Sequence, residues 1–259
     1  MQTELHSKYN GRDHYDNVYQ RDGDQEYKWL QIGSFDKVDS IEQLLLSASI
    51  IPYHVVELGA GSGAVISGCK ARSIGSKYTA IDYSISALNY LRKSDPSINI
   101  LQADITSDSF VPPLQTDTLI LTHVLEHLEN PRQFLQQLNL KMQFNQIIIE
   151  VPLEDLPISR IKKLIKPRNR NLAGHVQFYN SKSFEKFIRN CGFKIVAKRV
   201  YIPVPSISTI SFLMIKDKLP AWRLYYMVLV RIILPKLIEP VWKRVFYAHE
   251  ALLCRPSGD

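Results

Sequence analysis

Three glycines at alternate positions, Gly59, Gly61 and Gly63, follow directly on a short apolar run, His54-Val55-Val56-Glu57-Leu58. Val55, Val56 and Leu58 are what a strand buried on both faces carries. Glycine has no Cβ, so the backbone turns sharply there and a ligand can lie against it. From Ala64 to Ala71 the chain reads as the first turns of a helix. Strand, glycine turn and helix in succession set a nucleotide-like ligand at the strand's carboxyl end in an open α/β sheet. Spacing alone leaves the ligand open. Gly59-x-Gly61-x-x-Ala64 meets the relaxed dinucleotide fingerprint, but Glu57 stands two residues ahead of the first glycine and Gly63 arrives one position early. A turn that binds nothing is the third reading.

Further strand tips bear on that choice. Tyr78-Thr79-Ala80-Ile81-Asp82 reads as a second strand, and Asp82 lies close to twenty residues past the glycines, where an acid meets ribose hydroxyls. A carboxylate accepts from two vicinal hydroxyls at once. The plainer alternative for Asp82 is a helix cap. Asn99 to Asp104 is a third strand ending in another acid, which can also cap Thr106 or Ser107. Thr118 to Thr122 is a fourth, running into His123-Val124-Leu125-Glu126-His127-Leu128-Glu129-Asn130-Pro131. Asn130 and Pro131 suit the N-cap and first position of a helix, whose buried face is Phe134, Leu135, Leu138 and Met142. Gln146 to Val151 is a fifth strand, stopped by Pro152.

Glu57-Leu58-Gly59-Ala60-Gly61-Ser62-Gly63 resembles the first motif of the class I S-adenosylmethionine-dependent methyltransferases. The "HVLEHLENP" run resembles the fourth motif of their small-molecule branch. The likeness covers roughly residues 39–216 and implies a Rossmann-like α/β fold. That fold has a seven-stranded sheet, mostly parallel with the last strand antiparallel, and helices on both faces. It also implies the cofactor, S-adenosyl-L-methionine. Carried over position by position, Glu57 and the backbone of Gly59, Ala60, Gly61 and Gly63 would hold its methionine end. Asp82 would meet the ribose and Asp104 the adenine amino group, and Tyr83, Ile105, Thr122 and His123 would also lie at the cofactor.

Residues 1–38 are polar and aromatic and read as an N-terminal cap segment or a loosely ordered tail. Asp39 with Glu42 resembles a capping box, opening a helix marked by Ile41, Leu44, Leu45 and Ala48 and closed by Pro52. Residues 153–175 form an acceptor-side insertion where Arg160, Lys162, Lys163, Lys166, Arg168 and Arg170 gather without an acid. Gly174 to Tyr179 leads to a helix with Phe184, Phe187, Ile188 and Cys191 on one face, ended by Gly192. Phe193–Ile202 and Ile210–Ile215 are expected to be the last two strands, leaving 217–259 as a C-terminal helical extension. Within it Trp222 to Leu234 is apolar, broken by Arg223 and Arg231 and too short to span a bilayer. It suits a peripheral membrane contact; packing on the core or on a second subunit, as in a homodimer, is the simpler expectation.

At 259 residues, 45% hydrophobic and 22% charged, the chain can bury one α/β domain with additions. Its three cysteines, Cys69, Cys191 and Cys254, make neither a disulfide framework nor a zinc site and point to a reducing, cytoplasmic compartment. The opening residues, Met1 to His6, hold no apolar core, so no secretory leader is expected. The net charge of +7 and the basic run favour an anionic acceptor, small or carrier-linked, such as a sugar or phosphate-bearing compound.

Methyl transfer to oxygen or nitrogen needs alignment, exclusion of water and a proton acceptor. His123, His127 and His175 are the candidate bases, with His123 and His175 first. His123, Glu126 and His127 also have helical ligand spacing. Some quinone-precursor O-methyltransferases of this family use magnesium at these positions with carboxylates and a histidine. His123 replaces a Glu there and is a poorer ligand for a hard cation, so the sequence assigns no metal ligands. The competing functions are an RNA-directed methyltransferase, a non-catalytic S-adenosylmethionine-binding or assembly protein, and a nicotinamide dehydrogenase. Nucleic acid is disfavoured, because no RNA-binding module or aromatic-basic platform is visible. The dehydrogenase leaves Glu57, Asp104 and Glu126-His127 unexplained.

Overall fold

The computed structural model describes residues 30–31, 33–107, 110, 116–159, 174–203, 205, 210–211, 214 and 219–257. The basic run from Arg160 to Arg170 and most of the N-terminal cap segment lie outside them. The strands are β1 (His54–Leu58), β2 (Lys77–Asp82), β3 (Asn99–Gln102), β4 (Thr118–Thr122), β5 (Gln146–Leu153), β6 (Phe193–Tyr201) and β7 (Ala248–Pro256). They form one sheet in the order β3-β2-β1-β4-β5-β7-β6. β1 to β5 pair in parallel, while β7 runs antiparallel to both β5 and β6. The expected seven-stranded sheet is therefore present.

Alternate residues of the central strands feed two cores. Val56, Leu119, Leu121, Ile147 and Ile149 pack with helices α4 (Pro131–Lys141) and α5 (Ser181–Asn190) on one face. Val55, Ile120, Ile148, Ala251 and Leu253 pack with α1 (33–47) and α2 (Ala64–Ala71) on the other, where Leu88 and Leu91 of α3 (Ile85–Ser94) join them. Burial on both faces is why these strands read as continuous apolar runs. In α5, the interior positions Phe184 and Ile188 are completed by a capping box between Asn180 and Ser183.

Several sequence expectations change. Helix α1 is already helical from residue 33, so Asp39 is not its cap; its carboxylate instead meets Arg199 at 2.7 Å. A domain boundary at residue 39 would cut that helix. Pro152 does not stop β5, which continues past the tip of β4 to Leu153, where no β4 ladder needs a proline N–H. Asn130 does stand at the N-cap of α4, with Pro131 behind it, but makes no side-chain cap bond. Most consequential, the last strand is not Ile210–Ile215. Ile210, Ser211 and Met214 have helical backbone, and β7 comes from Ala248–Pro256. The apolar stretch after Trp222 is thus an insertion between β6 and β7 rather than a terminal extension. It comprises α6 (Trp222–Val228), a π-helical turn (Leu229–Ile233), α7 (Leu234–Leu237) and α8 (Glu239–Val245).

Candidate functional site

The connections from β1 through β2 to β3 run one way across the sheet, and those from β4 to β5 run the other. The direction reverses between β1 and β4, and open α/β sheets bind ligands in the crevice beyond the strand ends at such a point. The glycine turn leaves β1 here, and His123 leaves β4 beside it. Gly59, Gly61 and Gly63 all have positive φ, of 71°, 54° and 76°, a conformation other residues adopt at a cost. A Cβ on Gly59 would lie 2.6 Å from Val124 Cγ2, so the turn sits directly against the tip of β4.

Asp82, at the end of β2, braces the turn. Its carboxylate accepts from Gly61 N–H at 2.7 Å and from Ser84 N–H at 2.9 Å. Tyr83 follows, with its carbonyl accepting from Gln102 Nε2 at 3.2 Å. The β3 tip joins them through Ala103 N–H, which donates to the Asp82 carbonyl at 2.9 Å. Asp104 there accepts from Thr106 N–H at 3.0 Å and from its hydroxyl at 2.7 Å, which is the capping role anticipated as its alternative. Ile105 packs against the core beside it. Glycines, Asp82 and Asp104 thus belong to adjacent strand tips, with Ala60 buried behind the turn. Ser62 Oγ, in the turn, is buried without a hydrogen-bond partner.

Glu57 lies beneath this surface rather than on it. It is buried and accepts from Ile66 N–H of α2 at 2.9 Å. Burial pushes its pKa up to about 8, against the smaller opposing pull of that N–H and of Lys37. Its place is the base of the turn.

A second group of polar side chains gathers at the carboxyl ends of β4, β5 and β7. His123 has φ 56°, a left-handed conformation for a non-glycine residue, and such outliers cluster at functional sites. Its backbone N–H donates to the Glu150 carbonyl at 3.0 Å. Its ring lies between two buried carboxylates: Nδ1 is 3.3 Å from Glu126 Oε1, and Nε2 is 3.3 Å from Glu150 Oε1. Burial and Lys37 lower the imidazole's pKa, but Glu126 and Glu150 outweigh them, and the net shift is upward. Glu150 Oε1 also accepts from Tyr201 O–H at 2.7 Å and lies 3.1 Å from His249 Nδ1. His249 Nε2 meets the Tyr247 hydroxyl at 2.7 Å. Burial first, then the neighbouring His123, hold His249 down at about 4, so it is neutral near pH 7. Thr122 is buried in register with Glu150. Of the His123–Glu150–His249 group, His123 is the most open, with its side chain 22% exposed.

His127 and His175 form a third group. Their rings meet edge to face at 4.8 Å, and His175 Nδ1 lies 2.6 Å from Glu154 Oε2. The segment carrying His175 is fastened to the Glu126 turn: Val176 and Gln177 N–H donate to the Glu126 carbonyl at 2.7 and 3.0 Å.

The anticipated histidines therefore divide. His123 joins Glu150 and His249, whereas His127 joins His175. Sequence reasoning missed Glu150, Tyr201, Tyr247, His249 and Glu154. Glu150 carried a signal, being a charged residue inside Ile147–Val151 that demands a buried partner. The magnesium site of related enzymes does not fit here. The residue in the first carboxylate position is His123, whose Nε2 faces Glu150 and His249, and the remaining donors are mostly imidazole.

A methyltransferase-domain family model matches residues 33–198, more than half of the chain. No curated protein matches it. Among solved structures, magnesium protoporphyrin IX methyltransferase from Synechocystis PCC 6803 with bound SAH is 14% identical; the match covers 96% of this chain and 100% of that one, with a TM-score of 0.58. Coclaurine N-methyltransferase, bound to N-methylheliamine and SAH, is 14% identical over 86% of this chain and 72% of that one, with a TM-score of 0.55. The 4+2 cyclase SpnF is 12% identical over 80% and 76%, with a TM-score of 0.51. Likenesses this distant show the fold, and a cyclase among them shows that the fold alone does not set the reaction. With the family model, the strand order and the glycine turn in agreement, the chain belongs to the class I methyltransferase family, whose cofactor is S-adenosylmethionine.

Proposed function

We propose that this protein methylates an oxygen of a small or carrier-linked acceptor, with His123 as the proton acceptor. The observation that carries the reading is the meeting of the Gly59–Gly63 turn, Asp82 and the His123 strand tip at the point where the sheet reverses direction, joined by the 2.7 Å bond from Gly61 to Asp82. The orphaned hydroxyl of Ser62 and the positive-φ glycines suit a ligand lying against the turn. Asp82 would hold the ribose, the turn backbone the methionine end, and the Asp104–Ile105 tip the adenine, with Glu57 and Thr122 supporting from below.

S-adenosylmethionine supplies an electrophilic methyl that an acceptor oxygen displaces in line. The chain's own residues take the proton that this oxygen loses. His123 can take it at a ring nitrogen once its imidazole is neutral, and Glu150 and Glu126 stabilise the imidazolium that results. Because those carboxylates raise its pKa, the neutral fraction grows as pH rises above the usual histidine range. Turnover should climb with pH through that value. His123→Asn should lose this limb and at least roughly a hundredfold in kcat, the lower end of a general base's contribution. Labelled-methyl transfer into a cell extract, with products identified by mass spectrometry, names the acceptor. An unchanged pH profile in His123→Asn removes the base assignment.

The acceptor's setting is read from the insertion between β6 and β7. Trp222, Tyr225, Tyr226, Leu229 and Ile233 are exposed, and neither α6 nor the π turn contains a buried residue. Arg223, Arg231, Lys236, Lys243 and Arg244 stand against the single acid Glu239 from Trp222 to Val245. Interfacial aromatics with excess cations match an anionic bilayer surface. No helix among the described residues is long and apolar enough to cross a membrane. A peripheral contact, bringing the site to a lipid-linked anionic acceptor, is the reading this face supports.

A further inference from the structure

We propose that Tyr247 is a positioning residue for the cluster around His123: its hydroxyl fixes His249 in the Nδ1–H tautomer, and the Glu150 carboxylate accepts that hydrogen. Tyr247 stands between α8 (Glu239–Val245) and β7, so the insertion between β6 and β7 ends inside this cluster.

The tautomer follows from the contacts. His249 Nδ1 lies 3.1 Å from Glu150 Oε1, and His249 Nε2 lies 2.7 Å from the Tyr247 hydroxyl. Burial pushes the Glu150 pKa up, but the bonds to His123 and His249 outweigh it and hold the carboxyl below its usual range. An ionised carboxylate only accepts, so its contact with His249 needs a hydrogen on Nδ1. Neutral His249 then has a bare Nε2, and Tyr247 O–H donates to it. Burial, above all, pushes the Tyr247 pKa up, so the phenol keeps its hydrogen. Tyr201 O–H donates to the same Glu150 oxygen at 2.7 Å and meets His249 ring to ring, with centroids 5.5 Å apart.

The consequence reaches His123, whose Nε2 lies 3.2 Å from His249 Nδ1. With the hydrogen held on His249, His123 can accept across this contact but not donate, which favours its neutral imidazole. Lys37 acts the same way on both histidines, whereas Glu126 and Glu150 raise the pKa of His123. Glu154, Glu150, Glu126 and, from the π turn of the insertion, Arg231 act on the Tyr247 hydroxyl. Phe246 stacks on Trp242 of α8 with centroids 4.3 Å apart, which anchors the chain where Tyr247 leaves the insertion. The effect on turnover rests on the base assignment proposed above; the tautomer does not.

The test uses the full chain with isotope-labelled histidine, followed by NMR of the ring nitrogens across pH. His249 and His123 signals are assigned by their loss in His249→Asn and His123→Asn. Wild type should show His249 with Nδ1 protonated and Nε2 bare. Tyr247→Phe should move His249 toward the Nε2–H tautomer and raise the His123 pKa by at least about half a unit, the shift expected for one hydrogen bond. Tyr201→Phe takes a hydroxyl from Glu150 but not from His249, and should keep the Nδ1–H tautomer. In His249→Asn, whose amide offers a donor where Nδ1–H stood, adding Tyr247→Phe should leave His123 unmoved. Melting curves show whether each variant is folded, and the wild-type tautomer needs no variant. An Nε2–H tautomer in wild type, or an unchanged His249 tautomer in folded Tyr247→Phe, overturns the assignment. In methyl transfer, the rising pH limb should move upward in Tyr247→Phe. A flat profile with the tautomer change intact would count against His123 as base and leave the role of Tyr247 standing.

Discussion

Replacing Gly59 with alanine tests whether the glycine turn is seated on the tip of β4. Two costs are legible. At φ 71° an alanine pays the left-handed penalty, about 1–2 kcal/mol. Its Cβ also falls 2.6 Å from Val124 Cγ2. Val124 is β-branched and stiff at χ1, so the contact acts as overpacking, worth about 1–3 kcal/mol. Gly→Ala returns roughly 0.4–1 kcal/mol by restricting the unfolded chain. The net expectation is a loss of about 1–5 kcal/mol. Val124→Ala removes the opposing methyls and alone costs on the order of 1 kcal/mol, since Val124 is only partly buried. In Gly59→Ala/Val124→Ala the clash disappears while the φ penalty stays. The double variant should therefore be about 1–3 kcal/mol more stable than the sum of the singles implies. Denaturant unfolding of the four proteins measures this coupling directly. Additivity within about 0.5 kcal/mol would mean that turn and β4 tip are not in contact, and the crevice would lose one wall.

Other perturbations reach the base of the turn and the outer face. Glu57 has a folded pKa raised to about 8 from 4.5. The stability it contributes is complete below 4.5 and is lost as pH rises through about 8. Glu57→Gln keeps an acceptor for Ile66 N–H without that charge. It should match wild type near pH 4 and become more stable by on the order of 2–4 kcal/mol toward pH 9; parallel stability curves would refute the buried-acid reading. For the insertion, the full chain should float with vesicles containing phosphatidylserine and not with neutral ones. Replacing Trp222, Tyr225 and Tyr226 with serine should abolish flotation. Equal recovery with both vesicle types rejects the anionic-surface reading, and concentration-dependent dimers lost in the serine variant would assign the face to a second copy.

Much of the left half of the sheet was legible because β1, β2 and β4 are buried on both faces and bounded by turn residues. β4 and α2 fall on their expected residues, and β2 and β3 differ only by a residue or two at their ends. The right half was less so. Ile210–Ile215 is a denser apolar run than Ala248–Pro256, and it lies nearer to β6. The true β7 hides behind His249 and Glu250, two polar residues that are both buried. Their burial is offset by partners from other elements: Glu150 and Tyr247 for His249, and Ser181 of α5 for Glu250. Such partners are invisible until the chain is folded. The same blindness hid how the histidines divide. Spacing put His123, Glu126 and His127 on one helical face, but Leu125–His127 is a single 3-10 turn, and the left-handed backbone at His123 carries its ring toward β5 and β7.

The central claim is that adjacent strand tips bearing the glycines, Asp82 and Asp104 bind one adenosyl compound. Calorimetric titration of wild type and Asp82→Ala with S-adenosylhomocysteine, and of wild type with NAD, tests it most directly. S-adenosylhomocysteine should bind wild type at one per chain, NAD should not bind, and Asp82→Ala should weaken the former by about 1.5–3 kcal/mol, the loss of a charged acceptor. Binding of NAD in its place, or an affinity indifferent to Asp82, would contradict it.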